Sequence, residues 1–415
     1  MPEQVQNHSV CIAGGGPAGL MAGYLLARTG IDVVVLEKHS DFLRDFRGDT
    51  VHPSTLEVLH ELGLLEEFLL EPHQKVHQMT AVMGEETVRL ADFSHLPSTS
   101  KFIAFIPQWD FLDFLSRKAR AFPNFRLIMQ AEAKDLLIAD DDTVIGVAAD
   151  TPDGPLYIYA GLTIGADGRS STMRSKADLA VTDEDVDIDV LWFRLSREAA
   201  DGDDMQGIFR TGYMMVMINR GAYWQCAYVI PKNGAEGLRE KGLDAFREQV
   251  SAATGIPPDR VEEISDWDQV KLLTVKIDHL DTWHRAGLLC IGDAAHAMSP
   301  VGGVGINLAI QDAVATANLL APLIMSEECS PEDLDTVRKR RQFPARMTQR
   351  LQTFLHKQVI YRTLEQKGEF KAPWFLRVVT TVPFLRRMVG RAVGLGIRPE
   401  HIDPTSIPVS RKKAA

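Results

Sequence analysis

The sequence predicts an α/β protein with a second lobe of α+β character, and three observations predict it. A strand, a glycine turn, a helix and a second strand follow one another between Val10 and Lys38. Two further apolar strands end in small residues and an aspartate, at Gly165-Ala166-Asp167-Gly168 and at Gly292-Asp293. Between these two, from Val181 to about His279, helical spacing gives way mostly to alternating apolar residues, which is the pattern of a half-buried sheet. A chain of 415 residues, 45% of them hydrophobic, can bury a core of this size in two lobes.

The first unit runs Val10-Cys11-Ile12-Ala13, then Gly14-Gly15-Gly16-Pro17-Ala18-Gly19, then an alanine-rich helix to Gly30 and a strand Val33 to Lys38. Gly14 permits the tight turn, Gly16 lets the backbone approach a pyrophosphate, and Gly19 lets helix and strand pack closely. The first helical amides, around Pro17 and Ala18, together with the helix dipole, favour an anion. Glu37, beside Lys38, stands where an acid accepts hydrogen bonds from an adenosine ribose. The order of these parts points to dinucleotide binding, with NAD and FAD both open.

A charged loop, Asp41 to Asp49, follows, and Arg47 in it is either a solvated surface arginine or, shortly after the acid, placed to reach the dinucleotide. His52 is read as structural, and Pro53 opens a helix with Leu56, Leu59, Leu62 and Leu65 at helical spacing. A hairpin is expected from Met79 to Leu90, a strand at Phe102 to Pro107, and a helix after Gln108. A second hairpin turns at Asp153-Gly154. The strand Leu162 to Gly165 then ends in small residues, which by themselves suit either a cofactor crevice in an open sheet or an ordinary strand-to-helix turn.

In the middle of the chain, the 207–218 and 222–231 strands are joined through Asn219-Arg220-Gly221. A four-residue loop, Asn219 to Ala222, would pair Ile218 with Tyr223 and set Tyr213, Met215, Met217, Trp224, Cys226 and Tyr228 on one face. That face either packs on helices or forms an adaptable apolar pocket wall; the pocket is favoured, because a cofactor lobe needs a place for its substrate. Further on, Asp293 closes a buried strand, where a carboxylate costs several kcal/mol unless hydrogen-bonded, so a functional role is expected. Pro300-Val301-Gly302-Gly303-Val304-Gly305-Ile306-Asn307 then leads into a long apolar helix with its free amides first. His296 is read as a satisfied histidine. The 331–362 segment is expected to be helical with a basic stripe at Arg338 to Arg341. The apolar, cationic end beyond it has three options: core packing (favoured), a subunit interface or a membrane surface.

A net charge of −11 disfavours nucleic acid as a partner. Four scattered cysteines, with no Cys-x-x-Cys pair, suit a reducing cytoplasm. Neither a signal peptide nor a run of eighteen apolar residues is found, so no transmembrane segment is expected. No metal site is expected, and the oligomeric state is left as monomer or homodimer.

Taken together, the three stretches resemble the group A FAD-dependent aromatic hydroxylases typified by para-hydroxybenzoate hydroxylase, over most of residues 8–325. The resemblance implies a Rossmann-like FAD-binding domain of that type, from residues 1–78, 98–180 and 280–330. A substrate domain would be inserted from 79–97 and 181–279, and 331–415 would be a C-terminal helical region. It implies that Gly14, Gly16, Gly19, Glu37, Arg47 and Gln108 bind FAD, with Asp167 shared between FAD and the nicotinamide nucleotide. Asp293, after Gly292, would hold the ribityl chain. Pro300 would lie beside the flavin, and the amides of Gly305, Ile306 and Asn307, after Gly302 and Gly303, at the N1–C2=O edge. The activity implied is hydroxylation of an aromatic small molecule with NADH or NADPH and O2, through a flavin C4a-hydroperoxide, with no side-chain nucleophile. The middle hairpin lacks the serine and arginine that hold a benzoate carboxylate and offers Tyr213, Met215, Met217 and Trp224 instead, so a bulkier, more apolar aromatic is expected. A flavin-dependent reductase or halogenase is the alternative, and a non-catalytic FAD-binding protein a more distant one. Tyr223 to Pro231 keeps only the Ile-Pro ending of the halogenase motif.

Overall fold

In the computed structural model, which describes residues 3–43, 50–202 and 206–404, the apolar strands of the three stretches lie side by side. Arg47 lies outside the described residues. The helices that matter are α1 (Pro17–Arg28), α2 (Pro53–Glu61), α3 (Gln108–Ala119), α4 (Leu243–Thr254), α5 (Gly305–Met325), α6 (Pro331–Leu355), α7 (Trp374–Thr381) and α8 (Pro383–Gly394).

The first sheet has eight strands, five of them parallel, in the order Leu288–Cys290, Gly154–Gly165, Gln4–Ala13, Val33–Glu37, Phe125–Met129. Val10 to Ala13 and Val33 to Leu36 are buried throughout, as parallel strands covered on both faces must be. The register pairs Ala13 with Gly165 and Leu36, and Gly165 with Cys290. All three informative turns therefore leave the sheet along one line, at the carboxyl ends of its strands. Helices α1 and α5 pack on each other. Val301–Met325, which includes α5, is the one stretch among the described residues long and apolar enough to cross a bilayer, and 72% of its apolar window is buried, so it serves as a core helix.

The second sheet has seven strands, in the order Lys271–Leu273, Ile188–Ser196, Tyr223–Pro231, Tyr213–Asn219, Gln206–Arg210, Gln78–Met83, Glu86–Asp92. The hairpin register corrects the sequence expectation: Asn219 pairs with Trp224 and Ile218 with Gln225, so the loop starts one residue later than anticipated. Because the pairing moves by two positions and side chains alternate with period two, the expected face survives the correction.

Helix α6 packs on α5, placing Leu334 and Val337 in the first core. A π-helical turn, His356–Ile360, continues it, and Val359 and Ile360 join the core beneath the second sheet. Helices α7 and α8 lie along Glu86–Asp92. Gly390 makes this possible, since a Cβ there would stand 2.1 Å from the Asp92 carbonyl oxygen. The tail's inner side thus packs on the core as expected.

Candidate active site

The glycine turn is held by its neighbours before any ligand arrives. Gly14 N–H donates to Leu36 O (2.8 Å), Ala166 N–H to Ala13 O (2.8 Å), and Ile291 N–H to Gly165 O (2.9 Å), so the three turns are stitched to one another. Gly14 adopts φ +109°, and a Cβ there would lie 2.3 Å from Ala166 O. A Cβ on Gly19 would lie 1.9 Å from Gly14 O. At Gly16 the situation reverses: φ is −77° and a Cβ would meet nothing within 4 Å. Gly14 and Gly19 are therefore required by the protein, whereas the space at Gly16 is left for something else. Pro17 and Ala18 open α1, whose first turn carries neither a side-chain cap nor an acid, so its amides and positive dipole end stay available to an anion.

Glu37 is buried and accepts from Gly15 N–H (3.1 Å) and His39 N–H (3.0 Å). It thus braces the glycine turn, and an ionised carboxylate retains about four acceptor sites in all. Lys38, next to it, is exposed. Asp167 is turned onto its own loop: its carboxylate accepts from Ser171 Oγ (2.5 Å) and Met173 N–H (3.0 Å), and burial pushes its pKa up. Arg169 reaches across to Asp293, 3.9 Å away, so the second and third turns face each other through a charged pair that is about one-third exposed. Gly292, at φ +61°, sits where a Cβ would be 3.0 Å from Ala18 Cβ and 3.4 Å from Ala309 Cβ, at the contact of α1 with α5. Gln108 is half-buried at the start of α3.

The Pro300 loop is pinned from three sides. Gly302 and Gly303 take φ +82° and +62°, and Thr50 Oγ1 donates to Gly303 O (2.8 Å). Asn307, though at the head of α5, spends its side chain on structure: Oδ1 accepts from His52 N–H (2.9 Å) and Thr55 Oγ1 (2.7 Å). The first turn of α5, with Gly305 and Ile306, has no side-chain cap and no acid, so its backbone amides remain oriented outward. From behind, Gln352 bonds Ser299 N–H, Ser299 O and Val301 O, and His356 Nε2 lies 2.8 Å from Ser299 Oγ. The C-terminal helical region therefore helps to build this site.

Beneath the Gly292-Asp293 turn lies a charge network that sequence reasoning missed. Asp312 on α5, fully buried, accepts from Gly292 N–H (3.0 Å), His296 Nε2 (2.6 Å) and Arg341 Nε (2.9 Å). Burial alone would push its carboxyl up; the charges and hydrogen bonds of His296 and Arg341 together outweigh that and hold it low. Arg341 also pairs with Glu400 at 3.4 Å. A lone acid inside an apolar helix was the available signal, because such a charge must find a partner.

The expected substrate wall is corrected. Met215, Met217 and Trp224 are almost fully buried, and with Tyr213 beside them they pack against Phe246 and Val250 of α4. Their face of the sheet is thus covered by a helix. The opposite face carries Trp192, Val216 and Ile218, which meet Ile103 and Phe105; Val301, next to Pro300, packs into the adjoining apolar cluster of the same face. Gln225, buried on that face opposite Ile218, hydrogen-bonds Arg220. It was the clue: a polar residue at an inner position of an otherwise apolar strand.

Comparison with known proteins agrees with this geometry. A family model described as an FAD binding domain matches residues 7–351. A 6-methylpretetramide 4-monooxygenase of Streptomyces rimosus is 32% identical over 351 residues, covering 82% of this chain and 81% of that protein. A dialkyldecalin synthase of Streptomyces rugosporus is 26% identical over 384 residues, covering 88% of this chain and 76% of that one. Among solved structures, the OxyS anhydrotetracycline hydroxylase of Streptomyces rimosus superposes with a TM-score of 0.74 at 22% identity, over 95% of this chain and 77% of its own, and so shares the fold.

Proposed function

The chain belongs to the FAD-binding family of flavin-dependent monooxygenases, and from that premise we propose that it hydroxylates a bulky, apolar aromatic compound, using NADH or NADPH as reductant and O2 as the oxygen source. The observation that carries the substrate class is the face of Trp192, Val216 and Ile218, turned toward the side of the chain where the Pro300 loop lies. The names of the relatives, which act on 6-methylpretetramide and anhydrotetracycline, support the same class.

The residues present fit FAD. The open space at Gly16 and the uncapped amides of α1 would take its pyrophosphate, and Glu37, with Lys38 beside it in the chain, its adenosine end; Arg47, outside the described residues, is proposed for the same end from its place in the sequence. Asp293, paired with Arg169, would meet the ribityl chain, and Gln108 and Asp167 would add further contacts to FAD. Pro300, Gly302, Gly303 and the amides of Gly305, Ile306 and Asn307 would border the ring, where the dipole of α5 favours negative charge. Bound there, FAD supplies the hydride-accepting and oxygen-activating chemistry; the protein positions it, and the apolar sheet face keeps water away. We propose the division into lobes at residues 1–78, 98–180 and 280–330 against 79–97 and 181–279, since the two large sheets share no strand. Four free thiols suit a cytoplasmic setting.

The test is a screen of aromatic compounds against the purified yellow protein, following NAD(P)H oxidation, O2 uptake and the gain of one oxygen atom in the product. Polycyclic phenols should accelerate all three together. Faster coupled turnover of simple hydroxybenzoates would overturn the substrate class, and a chain that takes up no FAD would overturn the whole reading. The synthase relative favours a second reading, catalysis without net oxidation, which product formation in the absence of O2 uptake would establish.

A further inference from the structure

The outer side of α7 and α8 carries a surface that the site does not use. Trp374 is 76% exposed, Phe384 66% and Met388 53%, with Val378 and Val382 between them. Trp374 and Val378, one turn apart on α7, and Phe384 and Met388, one turn apart on α8, form an exposed stripe on each helix, with Val382 at the junction, while Phe375, Leu376, Val389 and Val393 pack on the core. Beneath the stripe, Phe375 touches Trp374 on one side and the half-exposed Phe354 of α6 on the other. Large apolar side chains exposed together, rather than singly, mark a contact surface.

Charge identifies the partner. Residues 371–399 hold six cations, Lys371, Arg377, Arg386, Arg387, Arg391 and Arg398, and no acid, in a chain whose net charge is −11. Arg377, Arg387 and Arg391 share the exposed stripe. Asp92, on the neighbouring strand, is pushed up by burial but held below the usual carboxylate range by the hydrogen bonds of Ser94 and the charges of His95 and Arg387. A twofold dimer through this face would lay one cationic stripe on another, so a second copy is a poor occupant. An aromatic and aliphatic stripe interleaved with arginines, whose stems can lie along the acyl boundary while their heads meet phosphates, matches an interfacial helix on an anionic bilayer. We propose that the α7–α8 hairpin docks this protein on the surface of membranes rich in anionic phospholipid, with Trp374, Phe384 and Met388 entering the headgroup layer.

The FAD-loaded full chain should co-sediment with phosphatidylcholine vesicles containing phosphatidylglycerol about tenfold more strongly than with phosphatidylcholine alone, and lose that preference at high salt. Trp374→Ser with Phe384→Ser, and separately Arg387→Glu with Arg391→Glu, should each lower binding about tenfold with flavin content and melting temperature unchanged, whereas Arg387→Lys with Arg391→Lys should retain most of it. Equal binding to neutral vesicles, no binding to either, or wild-type binding by the serine variant would overturn the proposal. So would a concentration-dependent dimer abolished by Phe384→Ser without any vesicle binding, which would assign the face to a second copy.

Discussion

The cofactor crevice and the seven-stranded sheet are built on opposite principles. In the crevice the backbone forms the surface: Gly14, Gly16, Gly19, Gly292, Gly302 and Gly303 shape it, and the carboxylates of Glu37 and Asp167 brace their own turns. In the sheet the side chains form the surface, and both of its faces are apolar, one closed by α4 and the other turned toward the Pro300 loop. A backbone-made site tolerates almost no change at a few positions. A side-chain-made wall tolerates change where it only packs and answers in specificity where it meets a ligand.

The largest expected effect tests the first half of that contrast. Gly14→Ala places a Cβ 2.3 Å from Ala166 O at a positive φ, and unfolding measurements should show a loss of about 4 kcal/mol or more, or no folded protein. On the sheet, Met215→Ala should cost about 3–4 kcal/mol in denaturant melts, while kcat/KM per bound FAD stays near wild type. An altered substrate preference in that variant would restore the α4-side face as the pocket.

The seam between the two regions should respond to pH. His52, which donates through Nδ1 to Val393 O, and His356, beside Ser299, are both pushed down by burial from 6.5 to about 4. A histidine whose folded pKa is depressed lends its stability above 6.5 and loses it as pH falls toward 4, because the unfolded chain then binds the extra proton. Each should account for up to about 3 kcal/mol across that window, and His356→Gln should flatten the fall of melting temperature between about pH 7 and pH 5. An unchanged slope would remove His356 from the seam.

Two smaller effects sharpen the contrast. Gly16→Ala meets no atom of the protein, so its melting temperature without FAD should match wild type while FAD affinity, by fluorescence titration, drops about tenfold. Trp192→Ala should raise KM for the aromatic substrate about tenfold with little change in FAD binding.

Much of the crevice was legible in the sequence, because a turn with positive φ or a close backbone approach restricts the residue type at that very position. Gly14 to Glu37, Gly165 to Gly168, Gly292-Asp293 and the Pro300 to Asn307 run therefore stood out without any knowledge of their neighbours. The side-chain duties within it did not: Asn307 bridging to His52 and Thr55, and Asp312 joining His296, Arg341 and Glu400, depend on partners up to hundreds of residues away. The sheet shows the same limit more sharply. Alternation correctly grouped Tyr213, Met215, Met217 and Trp224 on one face, but period two says only which residues share a face, not what covers it.

By itself, then, the sequence determined that this chain folds around a dinucleotide crevice, since glycine and turn constraints act locally. Tertiary structure alone decided that α4 closes the methionine-rich face and that Trp192 and Val216, on the opposite face, share a cluster with Val301. It also decided that the tail buries one side of α7 and α8 and leaves the other bare. Burial is a property of what packs against a surface, and two equally apolar faces carry no mark of which one will be covered.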